Sequence, residues 1–436
     1  MNTFSTLDAW LSHLESAHPI SIDMGLKRVS IVKSALNIKF LCPVFTVGGT
    51  NGKSSTCAFL ETISIYSGYS VGCYTSPHLL KFNERARLNG ENVTDDELLQ
   101  HFEIVESARL SFLSPISLTY FEFTTLAILN LFASHQLEVV ILEVGLGGRF
   151  DAINIIDTDC AIITSIDIDH TNYLGNTRDE IAFEKAGIFR AGKPAICGDL
   201  SIPHKLIEHA EGLGADLWLI KRDFHSEMKL DRCEKWTYIG RDIRYPNLTY
   251  PALFGLNQII NASVALAALE ALYDCLPISV QDINLGITNV KLPGRFQVLS
   301  GKPTVILDVA HNPHAVAALI HNLVNIGYFQ YTHAVFGAMR DKDILGMMQL
   351  LKGEVDYWYV TNLPSTRAAT AEQLETILRQ IGLENRQDKR VTQFASGAEA
   401  FQSAIKNASN NDRIIVIGSF YTVSSVMSYL SKFRKN

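Results

Sequence analysis

The chain has 436 residues, 47% of them hydrophobic and 19% charged, which predicts a globular protein of two or three domains with a large buried core. Its net charge of −7 disfavours non-specific binding to nucleic acid, and its seven scattered cysteines, with no C-x-x-C pair, indicate reduced thiols rather than a disulfide framework or a zinc site. Because residues 1–15 lack an apolar signal core and no run of about 18 apolar residues occurs, we expect a cytoplasmic protein that does not span a membrane.

The first strong motif is a glycine-rich turn at 48–55, which follows a predicted amphipathic helix at 8–16. The apolar run 41–47 predicts a buried strand before the turn, and the spacing of apolar residues over 54–66 predicts a helix after it. Backbone N–H groups, the positive end of the helix dipole and Lys53 would then converge on one point. Proteins hold nucleotide phosphates in this way.

The turn departs at one position from the common phosphate-binding pattern G-x-x-x-x-G-K-[ST]. Val47 stands where the first glycine is expected, and Gly48 follows one residue late. A glycine-rich turn with a surface lysine is the alternative. We favour a phosphate site because the strand, the glycines, Lys53 and Ser54 occur in the required order.

Polar residues follow the next three predicted strands at their carboxyl ends, where ligands bind in open α/β sheets. The strand at 70–74 leads to Ser76, which is either a functional hydroxyl or the cap of a turn that ends at a proline. The strand at 139–144 carries Glu143, a carboxylate that is costly in an apolar strand unless it binds something, and the acid at this position of P-loop ATPases holds Mg²⁺. The strand at 160–166 leads to His170, for which a functional and a structural role both remain open.

Two further segments carry candidate residues in the first half of the chain. Lys185 lies in an apolar helical stretch, either as a solvated lysine or as a buried amine with a lowered pKa. Residues 203–250 are polar and irregular and predict a peripheral, β-rich excursion. A long apolar helix at 253–272 follows, and Asn261 near its start either faces a phosphate or serves in capping and packing.

Beyond a linker at 291–296, predicted strands alternate with helices, which indicates a second doubly wound unit. These strands lie at 304–309, 333–337, 356–360 and 413–417. We therefore predict an α/β fold with a P-loop ATPase domain of mostly parallel sheet at 1–292 and a smaller, Rossmann-like C-terminal α/β domain at 293–436. The absence of a G-x-G-x-x-G motif argues against a dinucleotide site.

Nine segments of the chain resemble those of one protein family. The chain resembles the Mur ligase superfamily in five of them: GTNGK at 49–53, YTSPHL at 74–79, EVGLGGRFDA at 143–152, SIDIDHTNYLG at 165–175 and EKAGI at 184–188. Within that superfamily it resembles the folylpolyglutamate synthases in LPGRFQ at 292–297 and DVAHNPHA at 308–315. It resembles the bacterial form that is also a dihydrofolate synthase in IDMGLKRVS at 22–30 and TYFEF at 119–123.

The resemblance implies an ATP-dependent ligase that adds L-glutamate to dihydropteroate and to folate glutamates. ATP would phosphorylate a carboxylate, and the amine of glutamate would attack the acyl phosphate, giving an amide, ADP and phosphate. The resemblance further implies a monomer that uses two Mg²⁺ ions and binds small-molecule substrates. The net charge and the lack of an apolar span lead us to expect no nucleic acid or membrane partner.

The resemblance also implies a role for individual residues. The expected ATP-binding residues are Thr50, Asn51, Gly52, Lys53, Asn261, Arg295 and Asp308. The implied magnesium ligands are Ser76, Glu143 and His170. Lys53, His170 and Lys185 are the expected catalytic residues, with Lys185 carbamylated by CO₂. The expected dihydropteroate pocket comprises Asp23, Met24, Gly25, Leu26, Thr119, Tyr120, Phe121, Glu122, Phe150, Asp151 and Ala152.

One departure from the family pattern and two alternative functions remain open. Ser54 stands where the family usually has glycine, and a serine after the P-loop lysine commonly binds Mg²⁺, so Ser54 competes with Ser76, which the family favours. A folylpolyglutamate synthase alone and a P-loop ATPase without ligase activity are alternative functions. A cell-wall Mur ligase is disfavoured, because the 47 residues before Gly48 are too few for a UDP-sugar domain.

Overall fold

The computed structural model describes residues 4–20, 22–228, 235–383 and 390–433, and these fold into two compact units. The first unit comprises the described residues within Met1–His78, Phe82–Ala252 and Ile259–Val290. The second comprises those within Leu79–Lys81, Leu253–Gln258 and Lys291–Asn436. The sequence predicted a single division, between residues 292 and 293. It did not predict that residues 79–81 and 253–258 belong to the second unit.

The helices and strands are numbered in chain order. The helices are α1 (Leu7–Leu14), α2 (Lys27–Leu36), α3 (Lys53–Tyr66), α4 (Asp95–Leu110), α5 (Tyr120–Ala133), α6 (Thr171–Leu174), α7 (Arg178–Ala186), α8 (His204–Leu213), α9 (Leu256–Ala271), α10 (Val280–Asn289), α11 (Pro313–Asn325), α12 (Ile344–Leu351), α13 (Ala371–Gln380), α14 (Gly397–Asn407) and α15 (Phe420–Phe433). The strands are β1 (Val44–Gly48), β2 (Val71–Tyr74), β3 (Ala86–Leu88), β4 (Glu91–Asn92), β5 (Val139–Glu143), β6 (Cys160–Ile163), β7 (Pro194–Cys197), β8 (Asp216–Leu219), β9 (His225–Met228), β10 (Lys235–Ile239), β11 (Arg244–Thr249), β12 (Gln297–Leu299), β13 (Thr304–Leu307), β14 (Thr332–Phe336), β15 (Tyr357–Thr361), β16 (Arg390–Phe394) and β17 (Arg413–Ile417).

An eight-stranded sheet in the order β4-β3-β2-β5-β1-β6-β7-β8 forms the centre of the first unit. The strands from β2 to β8 in this order pair in parallel, whereas β3 and β4 add an antiparallel edge. Every residue of β1 and β5 is buried. A parallel strand is covered on both faces, which explains why these segments read as continuous apolar runs. The predicted mostly parallel sheet is confirmed.

The register of this sheet brings the predicted functional loops to one edge. Val47 of β1 pairs with Glu143 of β5, and Gly48 pairs with Ile163 of β6. On the other side of β5, Tyr74 of β2 pairs with Leu142. The loops that follow these strands therefore leave the same carboxyl edge next to one another.

The prediction of a β-rich excursion over 203–250 is wrong for its first part. Helix α8 buries Leu206 and Ala210, and β8 pairs in parallel with β7 as the last strand of the main sheet. Only β9, β10 and β11 form a separate, three-stranded antiparallel sheet. Helix α8 was not predicted because its apolar face is short and several of its other residues are polar and exposed.

Aromatic side chains pack α1, α4 and α5 together on one side of the main sheet. The ring of Trp10 lies 5.9 Å from that of Phe102 and 5.7 Å from that of Phe123, measured between ring centres. All three side chains are almost completely buried. This packing fixes the position of α5, whose N-cap and first turn carry four of the predicted substrate-binding residues.

The second unit is built on a six-stranded sheet in the order β12-β13-β17-β14-β15-β16. Strand β12 is antiparallel to β13, and the other pairs are parallel. The predicted Rossmann-like α/β unit is confirmed, although β12 and β16 were not predicted. In the described part of the chain, no helix is both long and apolar enough to cross a membrane.

Candidate active site

The turn between β1 and α3 has a backbone that only glycine adopts easily. Gly49 has φ of 143° and Gly52 has φ of 93°. A Cβ atom on Gly49 would overlap Thr164 Oγ1, and one on Gly52 would lie 2.5 Å from Asn261 Oδ1. Gly52 is the N-cap of α3, and no side chain among the described residues caps this helix. The N-terminal N–H groups of α3 are thus arranged as in an anion site.

The segment after β6 holds this turn in place. Thr50 N donates to Ser165 O at 2.7 Å, Asn51 N donates to Ser165 Oγ at 3.0 Å, and Thr164 Oγ1 donates to Asn51 O at 2.7 Å. Lys53 folds back over the turn, and its Nζ donates to Gly49 O at 2.9 Å. The positive charge of the lysine and the helix N-terminus therefore lie together on a preformed loop.

Glu143 brings Ser54 and Ser76 together at the end of β5. Its carboxylate is almost fully buried, with Oε1 accepting a hydrogen bond from Ser54 Oγ at 3.0 Å and Oε2 accepting one from Ser76 N at 3.3 Å. Carboxylate and hydroxyl oxygens are the donors that Mg²⁺ prefers, so the donor set fits a hard divalent cation. Ser54 presents its hydroxyl to the carboxylate, whereas Ser76 presents its backbone N–H.

His170 lies at the start of the short helix α6 with φ of 53°. Its backbone N–H donates to Asp169 Oδ1 at 2.8 Å, and its Nε2 lies 4.0 Å from Asp169 Oδ2. Within the described residues, no group of three or more His, Cys, Asp or Glu side chains is placed to hold a metal. The predicted set of Ser76, Glu143 and His170 contains only two residues of these types, so the finding does not bear on it, and the metal role of His170 stays a prediction.

Lys185 is a buried amine, so the alternative of a solvated helix lysine is wrong. It lies in α7 and is only 3% exposed. The pKa of Lys185 is lowered to about 7, chiefly by burial and then by the positive charge of Lys53, while Asp169 and Asp151 act in the opposite direction. A pKa near 7 leaves much of the amine neutral and nucleophilic under physiological conditions.

Asp151 is buried between the turn after β5 and a short 3₁₀ helix at Ala152–Ile155. Its carboxylate accepts from Leu146 N at 2.8 Å and from Ile153 N at 3.0 Å. Burial raises the pKa of Asp151 to about 6, although these backbone hydrogen bonds act against the rise. Asp151 therefore shapes the loop in this structure, and its expected contact with the pterin stays a prediction.

The three segments expected to form the dihydropteroate pocket lie next to one another. A Cβ atom on Gly147 would lie 3.9 Å from Met24 Cε, and one on Gly145 would overlap the ring of Phe121. Phe150 is 43% exposed. The segments at 23–26 and 119–122 thus meet at the turn after β5. The third expected segment, 150–152, is tied to this turn by the hydrogen bond from Leu146 N to Asp151.

Sequence reasoning missed Arg28 in this region. Arg28 forms ion pairs with Asp23 at 2.6 Å and with Glu122 at 3.1 Å. Glu122 also joins Thr119 in the capping box that begins α5. Arg28 lies inside the quoted segment 22–30, but its pairing depends on a contact distant in sequence that no local pattern reveals.

The remaining predicted nucleotide-binding residues belong to both units. In the first unit, Asn261 is buried on α9 beside Gly52. In the second, the guanidinium of Arg295 lies 5.1 Å from the centre of the Phe420 ring. Asp308 accepts from Phe296 N at 2.8 Å and from Ala310 N at 2.7 Å. Burial raises the pKa of Asp308, and the charge of Arg295 acts against the rise.

A glycine turn places a lysine at a helix N-terminus, beside a buried carboxylate at the edge of a parallel sheet. This arrangement defines a P-loop nucleotide site, and the two α/β units define a Mur-type ligase. The family model described as "Mur ligase middle domain" matches residues 47–269, and the model described as "Mur ligase, glutamate ligase domain" matches residues 294–420. The dihydrofolate synthase/folylpolyglutamate synthase of Escherichia coli (strain K12) is 43% identical over 431 residues, covering 99% of this chain and 97% of that protein. The chain belongs to the dihydrofolate synthase/folylpolyglutamate synthase family.

Two solved structures resemble the chain over its full length. The E. coli FolC structure in complex with DHPP and ADP has a TM-score of 0.92 and 43% sequence identity, with 100% of both chains covered. A bifunctional folylpolyglutamate synthase/dihydrofolate synthase with Mn, AMPPNP and L-glutamate bound has a TM-score of 0.89 and 41% identity, with 99% of both chains covered. Both structures share more than 40% of their residues with this chain, so the similarity concerns the sequence as well as the fold.

Proposed function

We propose that this chain catalyses the ATP-dependent addition of L-glutamate to dihydropteroate and to folate glutamates. The observation that carries the proposal is the meeting of Lys53, Glu143 and the glycine turn at one sheet edge, in the same unit as the segments proposed to bind the acceptor. The relatives bound to DHPP and ADP, and to AMPPNP and L-glutamate, support the same substrates for this chain. Family membership supports both acceptors rather than one.

The two chemical steps place distinct demands on the chain. In the first, an oxygen of the acceptor carboxylate attacks the γ-phosphorus of ATP, and the bond to the leaving ADP oxygen breaks. In the second, the amine of glutamate attacks the acyl carbon, phosphate leaves with the electron pair, and the amine loses a proton. Both reactants of the first step are anionic, so preorganised positive groups are required. Lys53 and the N-terminal N–H groups of α3 supply them.

A divalent cation fits the donor set at Glu143, and a relative with bound Mn supports its use. Glu143 would hold the ion together with the hydroxyl of Ser76 or of Ser54, with His170 as a further expected ligand. When bound, the cation neutralises charge on the phosphates. The chain's own part is to keep Glu143 buried and oriented, which the hydrogen bonds from Ser54 and Ser76 do.

Lys185 takes part in this proposal as a carbamate. Its neutral Nζ attacks the carbon of CO₂, an N–C bond forms, and the nitrogen releases a proton, which leaves a carboxylate on the side chain. Burial and the lowered pKa of about 7 support this assignment. The resulting negative charge would lie in the neighbourhood of Lys53 and could assist a second cation.

The other expected roles remain predictions. Asn261, Arg295 and Asp308 are proposed nucleotide contacts, and Thr50, Asn51 and Gly52 are proposed to cradle the phosphates. The chain is also expected to act as a cytoplasmic monomer. Sedimentation of the purified protein with and without ATP checks the expected monomer.

A phosphate-release assay tests the proposed function. We expect release only when ATP, L-glutamate and an acceptor are all present, with dihydropteroate and tetrahydrofolate tested separately as acceptors. Release without an acceptor would favour a P-loop ATPase. Activity with tetrahydrofolate but not with dihydropteroate would restrict the chain to folylpolyglutamate synthesis.

A further inference from the structure

Arg28 joins two of the segments assigned to the acceptor pocket. Its Nη1 lies 2.6 Å from Asp23 Oδ2, and its Nη2 donates to Asp23 O at 3.0 Å. The same Nη2 donates to Glu122 Oε1 at 3.1 Å. One guanidinium therefore holds residues 22–26, which form neither helix nor strand, against the first turn of α5.

Glu122, one of the two carboxylates that meet Arg28, also holds the backbone at the start of α5. Glu122 is 4% exposed, and its second oxygen, Oε2, accepts from Thr119 N at 2.8 Å, while Glu122 N donates to Thr119 Oγ1 at 3.2 Å. Glu122 thus begins α5 with one oxygen and binds Arg28 with the other. Charge-assisted pairs of this kind with a forked guanidinium fix geometry as well as charge.

The residues next to these carboxylates face the turn after β5. Met24 follows Asp23 and approaches Gly147, and Phe121 precedes Glu122 and packs on Gly145. Because Arg28 holds both carboxylates at once, it sets the position of Met24 relative to Phe121. Loss of the guanidinium would release residues 22–26 and leave Glu122 as a buried carboxylate without its charge partner.

We propose that Arg28 is a positioning residue that keeps the dihydropteroate-binding walls in place without touching the reacting atoms. The inference rests on the proposed function. Removal of the Arg28 guanidinium is expected to raise the KM for dihydropteroate about tenfold, equivalent to about 1.4 kcal/mol. The KM for ATP is expected to stay unchanged, because the phosphate turn is held by Thr164 and Ser165.

Steady-state kinetics of Arg28→Gln, Arg28→Lys and Arg109→Gln test this inference. Arg109 forms a comparable ion pair with Glu106 at 2.6 Å in α4 of the same unit, so Arg109→Gln controls for the loss of an arginine pair as such. We expect the KM for dihydropteroate to rise in Arg28→Gln, to rise less in Arg28→Lys because the charge is kept, and to stay unchanged in the control. Thermal unfolding of each variant separates this effect from a general loss of stability.

Two results would overturn the positioning role. One is a wild-type KM for dihydropteroate in both Arg28 variants, and the other is an equal rise of the KM values for dihydropteroate and ATP. If Arg28→Gln does not fold, the same criteria apply to Arg28→Lys. A wild-type protein that does not use dihydropteroate at all would contradict the proposed function instead.

Discussion

The reactivity of Lys185 toward CO₂ offers a quantitative test of the site. Only the neutral amine attacks CO₂, so the rate of carbamylation follows the neutral fraction. With a pKa of about 7, about three-quarters of the Lys185 side chains are neutral at pH 7.5, whereas an ordinary lysine is neutral in about one molecule in a thousand. Burial thus raises the reactive population by nearly three orders of magnitude.

The pH dependence of carbamylation distinguishes the buried amine from an ordinary lysine. For a pKa of about 7, the neutral fraction falls about eightfold from pH 7.5 to pH 6 and changes little from pH 7.5 to pH 9. For an ordinary lysine, each of these steps of pH changes the fraction by about thirtyfold. We therefore expect the rate of reactivation at constant dissolved CO₂ to level off above pH 7.5.

The assay begins with enzyme stripped of CO₂ in degassed buffer under argon. Ligation is then followed after addition of CO₂ at pH 6, 7.5 and 9, and a carbamate signal from ¹³C-labelled CO₂ identifies the adduct. We expect Lys185→Met to be inactive and insensitive to CO₂. Lys193→Met removes an exposed lysine that pairs with Asp159 at 2.9 Å and should behave as wild type.

Two outcomes would refute this reasoning about Lys185. A thirtyfold rise in the reactivation rate between pH 7.5 and pH 9 would show that the amine keeps an ordinary pKa. Full activity of wild-type enzyme in buffer free of CO₂, without a carbamate signal, would remove carbamylation from the mechanism.

Three further predictions concern the phosphate loop and the metal site. Lys53→Ala should lower ligation about a thousandfold by removing a preorganised positive charge, with an unchanged circular dichroism spectrum; near-normal activity would contradict the phosphate role. Ser76→Ala should raise the Mg²⁺ concentration for half-maximal activity more than Ser54→Ala, as a magnesium titration of both variants will show; the reverse order would assign the metal to Ser54. Gly49→Ala should destabilise the protein by roughly 1–3 kcal/mol in thermal unfolding through backbone strain and overlap with Thr164. Gly68→Ala should lower the stability less, because Gly68 has φ of 86° but open space around it. Equal losses of stability would mean that backbone strain alone acts.

Local patterns predicted the four central strands of the main sheet, β2, β5, β1 and β6, because these strands are buried on both faces. The apolar runs that became β1 and β5 are continuous for that reason, and Glu143 stood out as a charge at the end of such a run. Helix α8 was missed because its exposed residues outweigh Leu206 and Ala210. Burial of Lys185 could be suspected from its apolar neighbours, but its proximity to Lys53, Asp169 and Asp151 comes from folding.

The question of Ser54 or Ser76 shows why a metal site resists prediction from local sequence. Ser54 reaches Glu143 because Val47 pairs with Glu143 across β1 and β5, and Ser76 reaches it because Tyr74 pairs with Leu142 across β2 and β5. Both approaches follow from strand register, which joins residues distant in the chain. The structure then separates the two serines by the atom that each presents, a hydroxyl from Ser54 and a backbone N–H from Ser76. Ser76→Ala keeps its N–H contact with Glu143 while Ser54→Ala loses its contact, so a larger magnesium effect in Ser76→Ala can arise only from the hydroxyl of Ser76 itself.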